Sequence, residues 1–287
     1  MAGVRDIKRR IRSVKNIQQI TKAMKMVAAA KLRRTQAAVV ASRPYANKLD
    51  EVLGRIVASA EDKTHPLMME RPVKSVGIIL ISADRGLSGG YNSNVIKKAI
   101  VEGIRLESAD VSFIAVGRKG RDFLKRRGKP IQGEYTGIKD IPTFIEAQHI
   151  AGLAVNMFND GAYDEVYLVY QEFISPIQQR PTIKKMLPIS YEVADQAEQQ
   201  QTEYLYEPAP EQVLQILLPK YINNLMYQAL MEAKASEFGA QMAAMSSATD
   251  NAGEMIDKLT LSFNRARQAA ITKEISEIVG GANALQA

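Results

Sequence analysis

The stretch Ser82-Ala83-Asp84-Arg85-Gly86-Leu87-Ser88-Gly89-Gly90-Tyr91-Asn92 carries the densest set of groups able to do chemistry: hydroxyls, an acid, a cation and an amide among glycines. It follows an apolar run and precedes a helical pattern, and strand-to-helix junctions of that kind can hold phosphate on backbone N–H groups. The spacing fits neither G-x-G-x-x-G nor G-x-x-x-x-G-K-[ST], and no lysine follows the glycines. Ser88 is not framed as G-x-S-x-G, so a nucleophile elbow is excluded as well. A structural or partner-contacting turn is the stronger reading, because glycines at such junctions serve the turn itself. His65 stands beside Pro66, and His149 has no His or Cys neighbour at ligand spacing. The chain has no cysteine, which removes disulfides, thiolate ligands and thiol nucleophiles. No catalytic constellation assembles, and neither a cofactor nor a metal is expected.

Charge is a second kind of candidate site. Residues 1–34 hold eleven Lys or Arg against the single acid Asp6, whereas the whole chain is only +7. Such a local excess suits an acidic partner surface, a nucleic-acid backbone or a solvated face. No Phe, Tyr or Trp precedes Tyr45 and no nucleic-acid motif is present, so the acidic protein surface is preferred.

The elements that must position these groups follow from periodicity. Ile7, Ile11, Val14, Ile17, Ile20, Met24 and Val27 recur at steps of three or four and predict one stripe of a long helix. Arg43-Pro44 is expected to interrupt or kink it, with helix resuming to about residue 59. At the other end, Phe238, Met242, Met245, Thr249, Ala252, Ile256, Leu259, Phe263, Ala266 and Ala270 alternate steps of four and three, the repeat of a left-handed coiled coil. One chain must leave and return, so an antiparallel intramolecular pair is predicted. The C-terminal helix outruns its companion, leaving a smooth tip after Glu277 with no further charge.

Between the helices, strands are predicted at 76–81, 111–116, 131–135, 166–170 and 183–189, with helices at 92–106, 118–127 and 143–159. That alternation implies an open, mainly parallel sheet with helices on its faces. The fold class is α/β: a long antiparallel coiled coil of N- and C-terminal helices with an inserted Rossmann-like α/β domain. The expected bounds are 1–60 for the first helix, 74–191 for the α/β domain, 192–210 for an acidic linker and 211–287 for the last helix.

The pattern of residues resembles the gamma subunit of the F-type rotary ATP synthase along essentially the whole chain. Its carriers are Ile7-Lys8-x-x-Ile11-x-Ser13-Val14-x-Asn16-x-Gln18-x-Ile20-Thr21-Lys22-Ala23-Met24-x-Met26-Val27-Ala28-Ala29, the Asp84-Arg85-Gly86-Leu87-x-Gly89-Gly90 loop, Met245-x-x-Ala248-Thr249-Asp250-Asn251-Ala252, and the run from Asn264 through Arg265-Ala266-Arg267-Gln268 to Ile278. Ser88 stands where many members look to have cysteine. The resemblance implies a non-catalytic central stalk that couples proton-driven rotation of the membrane c-ring to ATP synthesis, reversibly. Its partners would be three alpha and three beta subunits, the epsilon subunit and the c-ring, with no nucleic acid. It would be peripheral to its membrane, with the cytoplasmic face of a bacterial cell membrane favoured over an organelle inner membrane. The same resemblance implies that Met24 and Lys25 face an acidic loop of beta, that Arg267, Gln268 and Thr272 meet a second region of beta, and that Arg85 contacts the ring from the α/β domain. Two other classes stay open on the residues alone: a nucleotide-binding Rossmann enzyme with a coiled-coil arm, and a basic coiled-coil nucleic-acid binder.

Overall fold

The structure, a computed structural model, describes residues 4–59, 65–106, 109–190 and 210–286. The acidic linker expected at 192–210 lies outside the described residues apart from Pro210, the first residue of the last helix. The chain divides into two compact units, one made of residues 1–27 with 242–287, the other of residues 28–241.

In the larger unit, apolar runs bounded by turns make the three central strands, whereas the two edge strands are of mixed polarity. The strands are β1 (Ser75–Ile81), β2 (Asp110–Val116), β3 (Ile131–Tyr135), β4 (Glu165–Phe173) and β5 (Gln179–Leu187). They lie in the order β3-β2-β1-β4-β5, parallel except for β5, which pairs antiparallel with β4. Register is tight in the centre, with Ile79 opposite Ile114 on one side and Leu168 on the other. The period of two splits the side chains between faces. Ile78, Leu80, Phe113 and Ala115 pack under α2 (Tyr91–Arg105) and α3 (Arg118–Arg126). Ile79, Ile81, Ile114, Val166 and Leu168 pack under α4 (Phe144–Asn159) and under parts of the two long helices, α1 (Val4–Ser59) and α5 (Pro210–Gln286). α4 starts with a capping box: Thr143 accepts from the Glu146 N–H while the Glu146 carboxylate accepts from Thr143.

α1 runs unbroken through Pro44, against the expected interruption. Proline removes only its own N–H donor and crowds the carbonyl four residues back. Here that residue is Val40, and both Val40 and Pro44 are exposed, so water can serve the freed carbonyl.

The smaller unit is a helix pair. Gln18 and Thr21 of α1 reach Thr249 of α5, while Lys25 reaches Ser246, so the helices run antiparallel as predicted. On α5 the predicted stripe holds from Met242 to Ala266, every member buried or half-buried, but Ala270 is exposed. On α1 the stripe needs correction from Ile17 onward. Ile17, Ile20 and Val27 are exposed, and the seam passes instead through Gln18, Thr21 and, at the start of the larger unit, Ala28. Thr21 is 9% accessible where neighbouring Ile20 is 58% accessible. Three consecutive steps of three rotate a stripe off the partner, whereas the alternating steps 7, 11, 14, 18, 21, 25, 28 keep facing it.

Candidate partner-binding surfaces

The loop after β1 is locked by its own side chains. Asn92 accepts from the Ala83 N–H at 2.9 Å and donates to the Ser88 hydroxyl at 3.2 Å. Asp84 accepts from the N–H groups of Arg118 at 3.0 Å and Gly137 at 2.8 Å, fastening the end of β1 to those of β2 and β3. The Ser82 hydroxyl accepts from the Gly120 N–H at 2.8 Å. Gly117 has φ +93, and a Cβ there would lie 2.1 Å from the Ser82 carbonyl oxygen, so only glycine allows this closeness. The N–H groups of Arg118 and Gly120 at the start of α3 are thus committed within the protein. Ser88 is buried and bonded rather than presented. Arg85, Leu87, Gly89 and Gly90 are the exposed residues of the loop, and Leu87 holds the left-handed conformation, φ 66.

The histidines are placed apart. His65 Nδ1 accepts from the Leu67 N–H to begin a short 3-10 turn, and burial moves its pKa down, while His149 is exposed on α4. Among the described residues no three His, Cys, Asp or Glu side chains converge as metal ligands.

The other expected site residues lie on the helix pair. Met24 is half-buried beside the seam, and the exposed Lys25 donates from Nζ to the Ser246 hydroxyl at 2.9 Å. One turn earlier the seam holds a polar layer: the Thr21 and Thr249 hydroxyls lie 2.9 Å apart, and Thr249 donates to the Met245 carbonyl at 2.7 Å. Thr249 also donates towards the Thr21 hydroxyl, and Thr21 donates in turn to the Gln18 carbonyl at 3.1 Å. A buried polar layer is satisfied in only one register, so it fixes how the helices slide. Hydrophobic patterning alone missed this layer; the signal available was the pair of threonines at seam spacing.

Beyond Ala266, α5 continues alone, and residues 267–282 are all exposed. Arg267, Gln268 and Thr272 belong to this solitary stretch. Ile271, Ile275 and Ile278 recur along it at steps of four and three, an apolar stripe with no partner among the described residues. The site residues therefore form no single centre: Arg85 lies on the loop after β1, Met24 and Lys25 beside the paired seam, and the last three on the unpaired helix.

The family model described as ATP synthase matches residues 3–285. The chain belongs to the ATP synthase gamma chain family. The ATP synthase gamma chain of Desulfitobacterium hafniense is 54% identical over 286 residues, covering all of both chains. Those of Heliobacterium modesticaldum and Moorella thermoacetica are each 55% identical, covering 99% and 100% of this chain and all of theirs. Among solved structures, a chain of the Euglena gracilis mitochondrial ATP synthase F1/c-ring assembly superposes with TM-score 0.68 at 18% identity, covering 98% of this chain and 94% of that one. A chain of the Tetrahymena thermophila mitochondrial central stalk and c-ring gives 0.60 at 24% identity, covering 80% and 99%. These distant neighbours establish the gamma-chain fold: a long helix pair with a five-stranded α/β insert.

Proposed function

We propose that this gamma-family chain is the central-stalk rotor of an F-type ATP synthase. It transmits rotation between a proton-driven c-ring and three catalytic beta subunits, and ATP hydrolysis drives the same cycle backwards. The observation that carries this reading is the solitary end of α5. An isolated chain gains nothing by exposing an isoleucine stripe on an unpaired helix, whereas a shaft turning in an apolar collar needs that surface. Charges concentrated near the seam and a register-fixing polar layer suit a part that transmits force. The chain is then a non-catalytic subunit of an enzyme complex. Among the described residues no helix is long and apolar enough to cross a membrane. Attachment to the cytoplasmic face of a bacterial membrane would run through the c-ring, with the epsilon subunit bound to the α/β unit.

In this reading Met24 and Lys25 meet an acidic loop of beta, and Arg267, Gln268 and Thr272 form charge-assisted bonds with a second beta region. Arg85 is the docking cation of the α/β unit. Its loop adjoins Tyr91, which donates to the Ala233 carbonyl of α5. Arg85 has two candidate targets, an acidic loop of the catalytic ring and the c-ring. Arg85→Glu separates the two: weakened assembly with alpha and beta alone identifies the catalytic ring, and weakening only when the c-ring is present identifies the membrane ring.

The function itself is tested by mixing the chain with purified alpha and beta subunits and measuring stoichiometry and MgATP hydrolysis. One copy joining three of each, with turnover lost on truncation after Ala266, is expected. Failure to assemble, or unchanged turnover in the truncated chain, overturns the rotor assignment.

A further inference from the structure

On the sheet face covered by α2 and α3, these two helices leave an open groove of ≈ 800 Å³. Its floor is apolar, made by Ile100, Val101 and Ile104 of α2 with Phe123 of α3, and Val101 and Ile104 are each at least half accessible. Its rim carries Lys97, Lys119, Arg126, Arg127 and Lys129, and no acid lines it.

The pairing of cations on these elements sorts by direction. Those turned away from the groove have partners: Lys98 and Arg105 on Glu102, Arg118 on Asp84, Arg121 on Asp122, and Lys125 on Glu134. The five rim cations form no ion pair among the described residues. Arg126 Nε donates to the Asp122 backbone carbonyl, and the Arg127 guanidinium lies 5.6 Å from the Phe123 ring centre, so both keep their charge free for another molecule. The one acid of α3, Asp122, is held by Arg121 at 2.7 and 2.9 Å.

We propose that the α2–α3 groove docks an acidic amphipathic helix of a protein partner. The floor decides the shape of the occupant. Ile96, Ile100 and Ile104 follow one another at steps of four, a line ~12 Å long at 1.5 Å per residue, which matches about two turns of a helix laid along it. A bare polyanion such as nucleic acid would leave that floor wet, and Phe123, the one aromatic lining the groove, already has the Arg127 guanidinium against its ring. Unpaired cations along both sides of an apolar strip complement a helix whose apolar stripe is flanked by Glu or Asp. None of its lining residues is among Met24, Lys25, Arg85, Arg267, Gln268 and Thr272, and it does not depend on the roles proposed for them.

The test uses the full-length chain and a fluorescein-labelled synthetic helix of ~18 residues, with leucines at steps of three and four and glutamates on both flanks. Fluorescence anisotropy is expected to show binding at least about tenfold tighter than for the same peptide with lysine flanks. Ile100→Ser with Ile104→Ser is expected to weaken it by about tenfold or more. Lys119→Glu with Arg126→Glu is expected to reverse the preference towards the lysine-flanked peptide, a switch that unfolding could not produce. Equal binding of both peptides, or binding untouched by these variants, overturns the proposal. So does the absence of peptide binding when phosphatidylglycerol vesicles bind and the same variants release them, which would make the groove a lipid surface.

Discussion

In residues 28–241 the sheet buries Ile78, Ile79, Leu80, Ile114 and Leu168 completely, whereas among the described residues of the helix pair only Thr21, Met245 and Ala252 are buried. The first unit is held by apolar volume removed from water. The second is held by a narrow seam, a polar layer and hydrogen bonds at its margin, and it leaves Ile17, Ile20, Ile271, Ile275 and Ile278 in solvent. The difference teaches where each unit's energy is directed: inward in the α/β unit, and outward, onto surfaces that other subunits would complete, in the helix pair.

The contrast breaks most sharply in the sheet. Phe113 is 2% accessible and packed beneath α2, so Phe113→Ala is expected to lower the unfolding free energy by ~3–5 kcal/mol, read by denaturant titration. Ile275→Ala, the same kind of truncation on the solitary helix, is expected to change it by less than ~0.5 kcal/mol. An equal loss at both positions would show that the helix end is covered within the chain itself.

The second test moves from stability to coupling. Arg267→Ala combined with Gln268→Ala alters exposed side chains of an unpaired stretch, so the denaturation midpoint should hold while coupled turnover in the assembled complex falls. Full ATP synthesis by that variant would remove these residues from the contact surface.

The polar layer gives a smaller effect. Thr249→Val removes the hydroxyl that donates to Thr21 and to the Met245 carbonyl, and leaves Thr21 buried with only the Gln18 carbonyl, 3.1 Å away, as a partner. A loss of ~1 kcal/mol is expected, with coupling to Thr21→Val in a double-mutant cycle. Additivity of the two changes would mean the hydroxyls do not set the register.

How far the sequence could be read follows the same division. The five strands and three α-helices of the sheet region are visible, the central strands most plainly, because their apolar runs have one physical solution, burial between two layers, whereas the 3-10 turn after His65 carries no such pattern. The α5 stripe is legible to Ala266 because its steps of four and three keep one face turned to the partner. The α1 stripe is misplaced from Ile17 because isoleucine in this chain also marks outward surfaces, and Gln18 and Thr21 carry no hydrophobic signal. Arg85, Arg267, Gln268 and Thr272 could be named from motif and are exposed where a partner could reach them. The α2–α3 groove has no such signature, because it exists only once the sheet lays these two successive helices side by side.

Glu232 supplies the smallest effect and runs against the inward economy of the α/β unit. Its carboxyl is largely buried on α5, and Oε2 has no hydrogen-bond partner. Burial raises its pKa, with Glu172 adding to the rise, and Lys184, Arg43 and a hydrogen bond from the Phe173 backbone oppose it. A carboxyl whose folded pKa lies above its unfolded value binds its proton more tightly in the folded chain. Its contribution to stability is therefore full below the unfolded value, near 4.5, and is lost as pH rises through the raised folded value. Glu232→Gln keeps the shape and removes the charge, so the variant should be more stable than the parent at neutral pH and converge with it at acid pH. A variant less stable than its parent at neutral pH would mean that the ionised carboxylate is held by Arg43 and Lys184 more strongly than burial opposes it, and the α/β unit would then contain a charge as well satisfied as those of the seam.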